Sequence, residues 1–187
     1  MRRLIVTENI TLDGVIDATE GWFAPAGNET EIDQSDVEAA LREQREAADA
    51  VLLGRVTFEQ MRGYWPLQED DATGISDYLN RVSKYVVSST LTDPQWEHTV
   101  VLAGSVVDEV RAVKSEPGKD IVATGSMTLV RDLITAGLVD EFRLFVYPVV
   151  LGRGGRLFTD ATKLPRLALV EAQPFRSGIV LLRYTTT

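Results

Sequence analysis

The sequence predicts an α/β protein in which a mostly parallel sheet ends in an antiparallel C-terminal hairpin. The main observation is the stretch 120–158, whose pattern is strand, glycine turn, helix and long strand in unbroken succession. Three further short apolar segments, which end at Leu53, Val87 and Leu102, also run into glycine or polar turns. Helical crossovers favour parallel strands, so these strand ends should share one edge of the sheet, where α/β proteins bind ligands.

Length and composition favour one cytoplasmic domain spanning residues 1–187. The chain carries 19 basic and 28 acidic residues, and its net charge of −9 disfavours nucleic acid or an anionic membrane surface as a partner. It has no cysteine, which excludes disulfides and thiolate metal sites, and no apolar run long enough to span a bilayer. The apolar strand after Met1-Arg2-Arg3 is too short for a secretory signal, so we expect a cytoplasmic location.

The first strand is predicted over 4–12, and Asp13-Gly14 marks the turn that follows it. A loop over 21–30 comes next and carries Trp22 and Phe23. An aromatic loop beside a strand end can cover a ligand or pack on the core, and the sequence leaves both roles open.

The first helix is predicted to begin at the capping box Ser35-x-x-Glu38 and to run to about Ala48. An apolar strand over 50–53 then leads through Gly54-Arg55-Val56-Thr57 into a second helix, which begins near Thr57 and is capped by Thr57-x-x-Gln60. Arg55 offers a planar guanidinium to a phosphate, beside backbone donors and the Thr57 hydroxyl. Pairing of Arg55 with a surface carboxylate is the alternative, and the sequence weighs the two evenly.

The middle of the chain adds a short helix over 75–82, strands over 84–87 and 100–102, and a helix that begins at Ser105-x-x-Asp108. The 84–87 strand ends in Ser88-Ser89-Thr90. These hydroxyls can donate to a phosphate or turn the chain, and the turn is the usual role of an isolated serine pair.

The central stretch gives the clearest helix start. An apolar strand over 121–123 passes through Thr124-Gly125-Ser126 into a helix, with Ser126 as the predicted N-cap and Gly137 at the left-handed C-terminal position. The unpaired N–H groups and positive dipole end of such a helix suit a phosphate. A plain strand-to-helix turn is the alternative, and for this motif alone it is the better one, because G-x-G-x-x-G is absent.

The chain continues in a strand over 142–151, a glycine turn over 152–155 and a hairpin whose strands cover 164–172 and 179–184. The apolar segment 142–147, in a protein whose surface is otherwise acidic, is one reason to expect a homodimer. His98 is the only histidine, so neither a Ser-His-Asp triad nor a histidine-based metal site is expected. No P-loop is present, which counts against ATP or GTP hydrolysis.

A series of short motifs follows the predicted strands: Leu12-Asp13-Gly14, Gly54-Arg55-x-Thr57-Phe58-Glu59, Ser88-Ser89, Gly125-Ser126, Gly137-Leu138-Val139-Asp140-Glu141 and Pro148-Val149-Val150-Leu151-Gly152-x-Gly154. In this order, and over nearly the whole chain, they resemble the dihydrofolate-reductase-like reductases. More closely, the chain resembles the stand-alone relatives of the C-terminal reductase domain of bacterial bifunctional riboflavin-biosynthesis deaminase-reductases.

The resemblance implies a three-layer α/β/α fold of the dihydrofolate reductase type, with NADPH bound along the strand ends. Arg55 and Ser88 would face the adenosine 2′-phosphate. Thr57 and the helix start at 125–129 would hold the pyrophosphate, and the Asp13-Gly14 turn would lie near the nicotinamide. The implied cofactor residues are Gly14, Gly54, Arg55, Thr57, Ser88, Ser89, Gly125, Ser126, Met127, Thr128 and Leu129.

The resemblance implies a small-molecule substrate without naming it. Dihydrofolate reductases place an acid on the first helix, and Asp33 and Asp36 lie near that region without a motif match. The riboflavin enzymes are fused to a deaminase whose zinc-ligand cysteines and histidines this chain lacks.

We therefore predict an NADPH-dependent reductase, without a metal, of a small heterocyclic or carbonyl substrate that is pterin- or pyrimidine-like. Asp13 is the candidate catalytic or orienting group, and its alternative is a turn role. The alternative for the whole protein is a non-catalytic NADP(H)-binding protein of the same fold.

Overall fold

A computed structural model describes residues 1–17, 21–23, 33–68, 71–159 and 166–187. The strands of this part of the chain are β1 (Leu4–Thr11), β2 (Ala48–Gly54), β3 (Ser83–Val87), β4 (Thr99–Leu102), β5 (Asp120–Ala123), β6 (Glu141–Tyr147), β7 (Leu167–Pro174) and β8 (Val180–Thr186). The α-helices are α1 (Ser35–Glu46), α2 (Arg55–Tyr64), α3 (Ile75–Arg81), α4 (Val106–Ser115) and α5 (Met127–Thr135), and a 3₁₀ turn covers Trp65–Leu67.

The strands form one eight-stranded sheet in the order β4-β3-β2-β5-β1-β6-β8-β7. Every pairing from β4 to β6 is parallel, whereas β8 runs antiparallel to both β6 and β7. This is the predicted mostly parallel sheet with an antiparallel C-terminal hairpin. One detail differs from the simplest expectation, because β5 and β6 are parallel without being neighbours and β1 lies between them.

Helices cover both faces of the sheet, which gives the predicted three layers. Along β2 the side chains alternate between the two faces. Leu52 belongs to the core under α4 and α5, whereas Leu53 belongs to a second core that includes Phe58 of α2 and Tyr78 of α3. A third apolar cluster joins α1 to β6 and β8.

Parallel pairing brings the carboxyl ends of the central strands to one edge of the sheet. In the register of β2, Gly54 pairs with Val87 at the end of β3, and Leu52 pairs with Ala123 at the end of β5. The turns after these strands are therefore neighbours, although they are far apart in the sequence. This edge carries most of the predicted cofactor residues.

The predicted capping boxes are wrong. The N-cap positions of α1 and α2 are Gln34 and Gly54, and neither helix has a side-chain capping bond. The helix α2 begins at Arg55, two residues before the predicted start, and the Thr57 hydroxyl accepts a hydrogen bond from the backbone N–H of Ser126 instead of capping its own helix. Ser105 does hold the N-cap position of α4, but without a side-chain capping bond.

Two strand boundaries differ from the prediction by more than two residues. The strand β6 ends at Tyr147 rather than at 151, because Pro148 has no N–H to continue the ladder. The strand β7 begins at Leu167, and the first residues of its predicted range, 164–165, lie outside the described residues.

The strand that motivated the homodimer expectation lies inside the sheet. It pairs with β1 on one side and with β8 on the other, and its first five residues are buried. The dimer stays a prediction that this strand no longer supports. Among the described helices, none combines the length and apolar character needed to cross a bilayer.

Candidate functional site

The two predicted strand–glycine–helix junctions are bonded to each other. The backbone N–H of Gly54 donates to the Ser126 hydroxyl at 2.8 Å, and the backbone N–H of Ser126 donates to the Thr57 hydroxyl at 3.0 Å. We call this pair of hydrogen bonds the junction clasp. It places the first turns of α2 and α5 side by side at the sheet edge.

The clasp is tight enough to require glycine. Gly125 and Ser126 have φ of 59° and 50°, so the chain turns through two successive left-handed residues. A Cβ on Gly125 would lie 3.1 Å from the Thr57 Cγ2 atom. Glycine at this position satisfies both the backbone conformation and the close approach. A plain turn would need only the first of these properties.

The α5 N-terminus is arranged to attract an anion. Its first amides, on Met127, Thr128 and Leu129, have no acceptor within the helix, and the helix dipole adds a partial positive charge there. Leu129 contributes only its backbone, because its side chain is buried in the core. Ser126 holds the N-cap position as predicted, yet its hydroxyl bonds Gly54 and not α5.

A buried acid that the sequence reasoning missed lies directly beneath this turn. Glu8 of β1 is 5% exposed, and the backbone N–H of Gly125 partly offsets the effect of this burial on the pKa of its carboxyl. Its Oε1 atom has no partner among the described residues. Burial raises the pKa of Glu8 well above its usual value and so favours the neutral form of the carboxyl. In that form the carboxyl would not repel an anion at the α5 N-terminus. The sequence did contain a signal for this buried acid, because Glu8 is an acidic residue within the otherwise mostly apolar strand β1.

Arg55 sits at the first position of α2 and forms an ion pair with Glu59, one turn later, at 3.0 Å. Both side chains are partly exposed, at 45% and 35%. The surface pairing that the sequence left open is therefore present in the structure. Such an exposed pair is weak, so it leaves the guanidinium free to turn toward a ligand at the same edge.

The serines after β3 have the turn role that the sequence favours. The hydroxyl of Ser88 accepts hydrogen bonds from the backbone N–H groups of Thr90 and Leu91, at 3.2 and 3.0 Å. Ser89 is exposed. Ser88 follows Val87, the register partner of Gly54, so it lies next to the Arg55 junction.

Asp13 anchors two loops. Its carboxylate accepts hydrogen bonds from the Thr11 hydroxyl at 2.7 Å and from the backbone N–H of Gly152 at 2.8 Å, and Arg156 lies 3.5 Å away. The Thr11 bond is the largest cause that lowers the pKa of Asp13 to about 2. The group is ionised at neutral pH and cannot serve as a proton donor. The structure thus favours the turn role for Asp13, beside Gly14 with its left-handed φ of 85°.

A cavity of about 480 Å³ opens beside the clasp and extends across the sheet face that α1, α2 and α3 cover. Thr57 belongs both to the clasp and to the cavity wall. Most of the lining is apolar or aromatic, and the polar and charged members are Thr7, Asn9, Gln34, Glu38, Gln44, Arg45, Thr57, Gln60 and Thr124. The volume is in the range of small-molecule sites.

The acid that faces this cavity is Glu38, and neither Asp33 nor Asp36 is part of its lining. Asp33 and Asp36 instead form ion pairs with Arg176 of the C-terminal hairpin turn. The sequence contained a signal for this face of α1, because residues three or four apart lie on the same side of a helix. The residues with this spacing are Gln34, Glu38, Leu41 and Arg45.

The described part of the aromatic loop forms one wall of the cavity. The ring of Tyr147, at the end of β6, lies 5.3 Å from that of Trp22 and 5.9 Å from that of Phe23. The Trp22 indole N–H also donates to the Asp17 carbonyl at 2.6 Å. Phe23 and Tyr147 both line the cavity. The described part of the loop therefore packs on the fold, and its place in the cavity wall is compatible with the second role, covering a ligand.

Comparison with known proteins identifies proteins that are similar to this chain. The uncharacterized protein YyaP of Bacillus subtilis (strain 168) is 33% identical over 187 residues, which cover 98% of this chain and 94% of YyaP.

The described residues hold no cluster of His, Cys, Asp and Glu side chains suited to a metal ion.

Solved structures share the fold at lower identity. A Shewanella sp. PV-4 protein provisionally assigned to riboflavin biosynthesis has a TM-score of 0.74 at 19% identity and covers 99% of both chains. The Thermotoga maritima diaminohydroxyphosphoribosylaminopyrimidine deaminase/5-amino-6-(5-phosphoribosylamino)uracil reductase has a TM-score of 0.65 at 16% identity, and all of this chain matches 57% of that one.

Dihydrofolate reductase from Enterococcus faecalis, complexed with NADP(H) and RAB-propyl, has a TM-score of 0.60 at 20% identity, covering 98% of this chain and 95% of that one. The family model described as RibD C-terminal domain matches residues 2–181. The chain therefore belongs to the RibD C-terminal domain family.

Proposed function

We propose that this protein is an NADPH-dependent reductase that transfers hydride to a small heterocyclic or carbonyl substrate. The observation that carries the proposal is the position of Thr57, which joins the junction clasp to the cavity. An anion-binding edge and an enclosed apolar cavity with a shared wall suit a dinucleotide whose phosphates stay at the edge and whose reactive ring enters the cavity. The family, and the fold shared with reductases, support the same activity.

The residues at the edge fit NADPH. The amides of Met127, Thr128 and Leu129 would hold its pyrophosphate, and the clasp keeps the neighbouring α2 start in place. Burial of Glu8 beneath them favours its neutral form, which lessens repulsion of the phosphates. Arg55 would leave Glu59 to pair with the 2′-phosphate. When bound, NADPH supplies the hydride, and the protein supplies binding, orientation and electrostatics.

The cavity residues would act on the substrate. The Glu38 carboxylate can accept a hydrogen bond from a ring N–H and so fix the orientation of the ring. The aromatic wall of Phe23 and Tyr147 excludes water from the reacting carbon. Holding both reactants in one dry cavity is the main contribution expected of the chain.

A non-catalytic NADP(H)-binding protein is the second candidate. The ionised, loop-anchoring state of Asp13 favours it, because the acid predicted from the sequence cannot donate a proton. Glu38 is then the group that decides between the two, since its carboxylate is the acid that lines the cavity in the described residues.

Thermal unfolding with NADPH tests the binding that both candidates share. Binding to the folded state alone adds about 2.7 kcal/mol at a hundredfold excess over Kd. For a domain of this size that raises Tm by about 5–10 °C. An unchanged Tm at millimolar NADPH refutes both candidates. NADPH oxidation across pterins, pyrimidines and carbonyl compounds then separates them, because only the reductase turns over.

A further inference from the structure

We propose that the cavity accepts a planar ring compound without a phosphate group and discriminates against phosphorylated substrates. The inference rests on the proposed function, because it concerns the substrate of the same site. The substrate proposed here differs from the one in the name of the Thermotoga maritima reductase, 5-amino-6-(5-phosphoribosylamino)uracil, which carries a ribosyl phosphate.

The cavity has little positive charge to offer a phosphate. Among the lining residues in the described chain, Arg45 is the one cation, and Glu38 on the same helix face balances it. The Arg45 Nη2 atom already donates to the Thr73 carbonyl at 2.9 Å. A dianionic phosphate needs more cationic or N–H donors than remain here.

The N-terminus of α1, whose N-cap residue Gln34 lines the cavity, is already occupied by carboxylates. Asp33 accepts a hydrogen bond from the backbone N–H of Ser35, and Asp36 accepts one from that of Val37, each at 3.0 Å. The α1 N-terminus would otherwise attract an anion, but here its amides serve acids of the chain itself. Asp33 and Asp36 share the single cation Arg176, so together with Glu38 they leave a net negative charge at this end of the cavity, which disfavours a phosphate.

The walls instead suit a flat ring with polar edges. Aromatic side chains line the cavity from several elements, namely Phe23, Tyr64, Trp65, Tyr78, Phe145 and Tyr147. Stacked and edge-on ring contacts favour planar ligands. The Thr7 hydroxyl is buried without a partner among the described residues, and Glu38 offers a carboxylate. Two polar groups in an aromatic cavity select a ring that carries its own donors and acceptors.

The test compares matched ligand pairs on the full chain saturated with NADP⁺. The pairs are 5-amino-6-ribosylaminouracil and its 5′-phosphate, and a ribosylated pterin and its 5′-phosphate. Isothermal titration should give affinities about tenfold or more tighter for the unphosphorylated member of at least one pair. Tighter or equal binding of the phosphorylated members overturns the inference, and so does the absence of binding by every member at millimolar concentration.

A charge-neutral variant checks the cause. Glu38→Gln should narrow the affinity ratio within a pair by about threefold or more, because it removes a carboxylate from the wall. Glu43→Gln on the exposed side of α1 is the matched control and should leave the ratio unchanged. An unchanged ratio in Glu38→Gln refutes the electrostatic explanation. Titration of the wild-type chain with NADPH alone tests the proposed function separately. If NADPH does not bind, but the chain without cofactor still prefers the unphosphorylated rings, the reductase is refuted and this inference is not.

Discussion

Replacing Arg55 by alanine separates the two roles that this side chain can have. In the free protein it pairs with Glu59 one helical turn away, with 45% and 35% of the two side chains exposed. Exposed pairs of this spacing contribute about 0.3–0.5 kcal/mol. Arg55→Ala should therefore lower the free energy of unfolding by less than about 1 kcal/mol, which corresponds to a fall in Tm of about 2–4 °C at most.

The effect on the cofactor should be much larger. A hydrogen bond between charged groups contributes about 1.5–3 kcal/mol, so loss of the guanidinium should weaken NADPH by about ten- to more than hundredfold. NADH lacks the 2′-phosphate and should bind as before. Glu59→Gln removes the pair that NADPH must break, and the recovered 0.3–0.5 kcal/mol should strengthen NADPH about twofold.

Isothermal titration of the wild type and both variants with NADPH and NADH measures these changes. An unchanged NADPH affinity in a folded Arg55→Ala protein refutes the assignment of this junction to the cofactor. Parallel weakening of both cofactors would instead place Arg55 on the pyrophosphate, and Glu59→Gln should then strengthen NADPH and NADH alike.

Three further changes follow from the site. Ser126→Ala leaves the Gly54 N–H without its acceptor, so the free energy of unfolding, measured by thermal unfolding, should fall by about 1–3 kcal/mol. The affinities for NADPH and NADH should both fall as well. The exposed control Ser115→Ala should show neither change. The free energy of unfolding of the wild type should fall as pH rises above 4.5, the usual pKa of glutamate, because only the unfolded state releases the Glu8 proton there. Glu8→Gln should abolish this loss of stability. Asp13→Asn should lessen the stability lost as pH falls from about 4 to 2, where wild type protonates the anchor; an unchanged acid unfolding profile contradicts this.

Local patterns predicted the elements of this fold well because the periodicity of apolar residues, which distinguishes helices from strands, is a local property of the sequence. The four strand ends at Leu53, Val87, Leu102 and Ala123 do lie at one edge, as their turns indicated. The helix starts were less predictable, because Thr57 serves a residue that is 69 positions away and not its own helix. A capping pattern in the sequence cannot show such a competing partner.

The cavity acid shows the same limit. Asp33 and Asp36 are nearer to the α1 start and looked better placed than Glu38, but Arg176 from the hairpin turn pairs with both. Which acid remains for the cavity is therefore decided by a residue about 140 positions later. The sequence shows that Gln34, Glu38 and Leu41 share one face of α1, but only the structure shows that this face lines the cavity.

The position of β1 between β5 and β6 has a consequence for the order in which the protein can be built. Leu4 pairs with Ile121 and Ile5 pairs with Glu141, so the first strand to be synthesised waits for both of its neighbours until more than two thirds of the chain exists. Until then an apolar strand has two open edges, which other chains can pair with. Closing such distant contacts is slow. We therefore expect nascent chains that stop before β5 to be aggregation-prone, and the centre of the sheet to form only after β6 has been made.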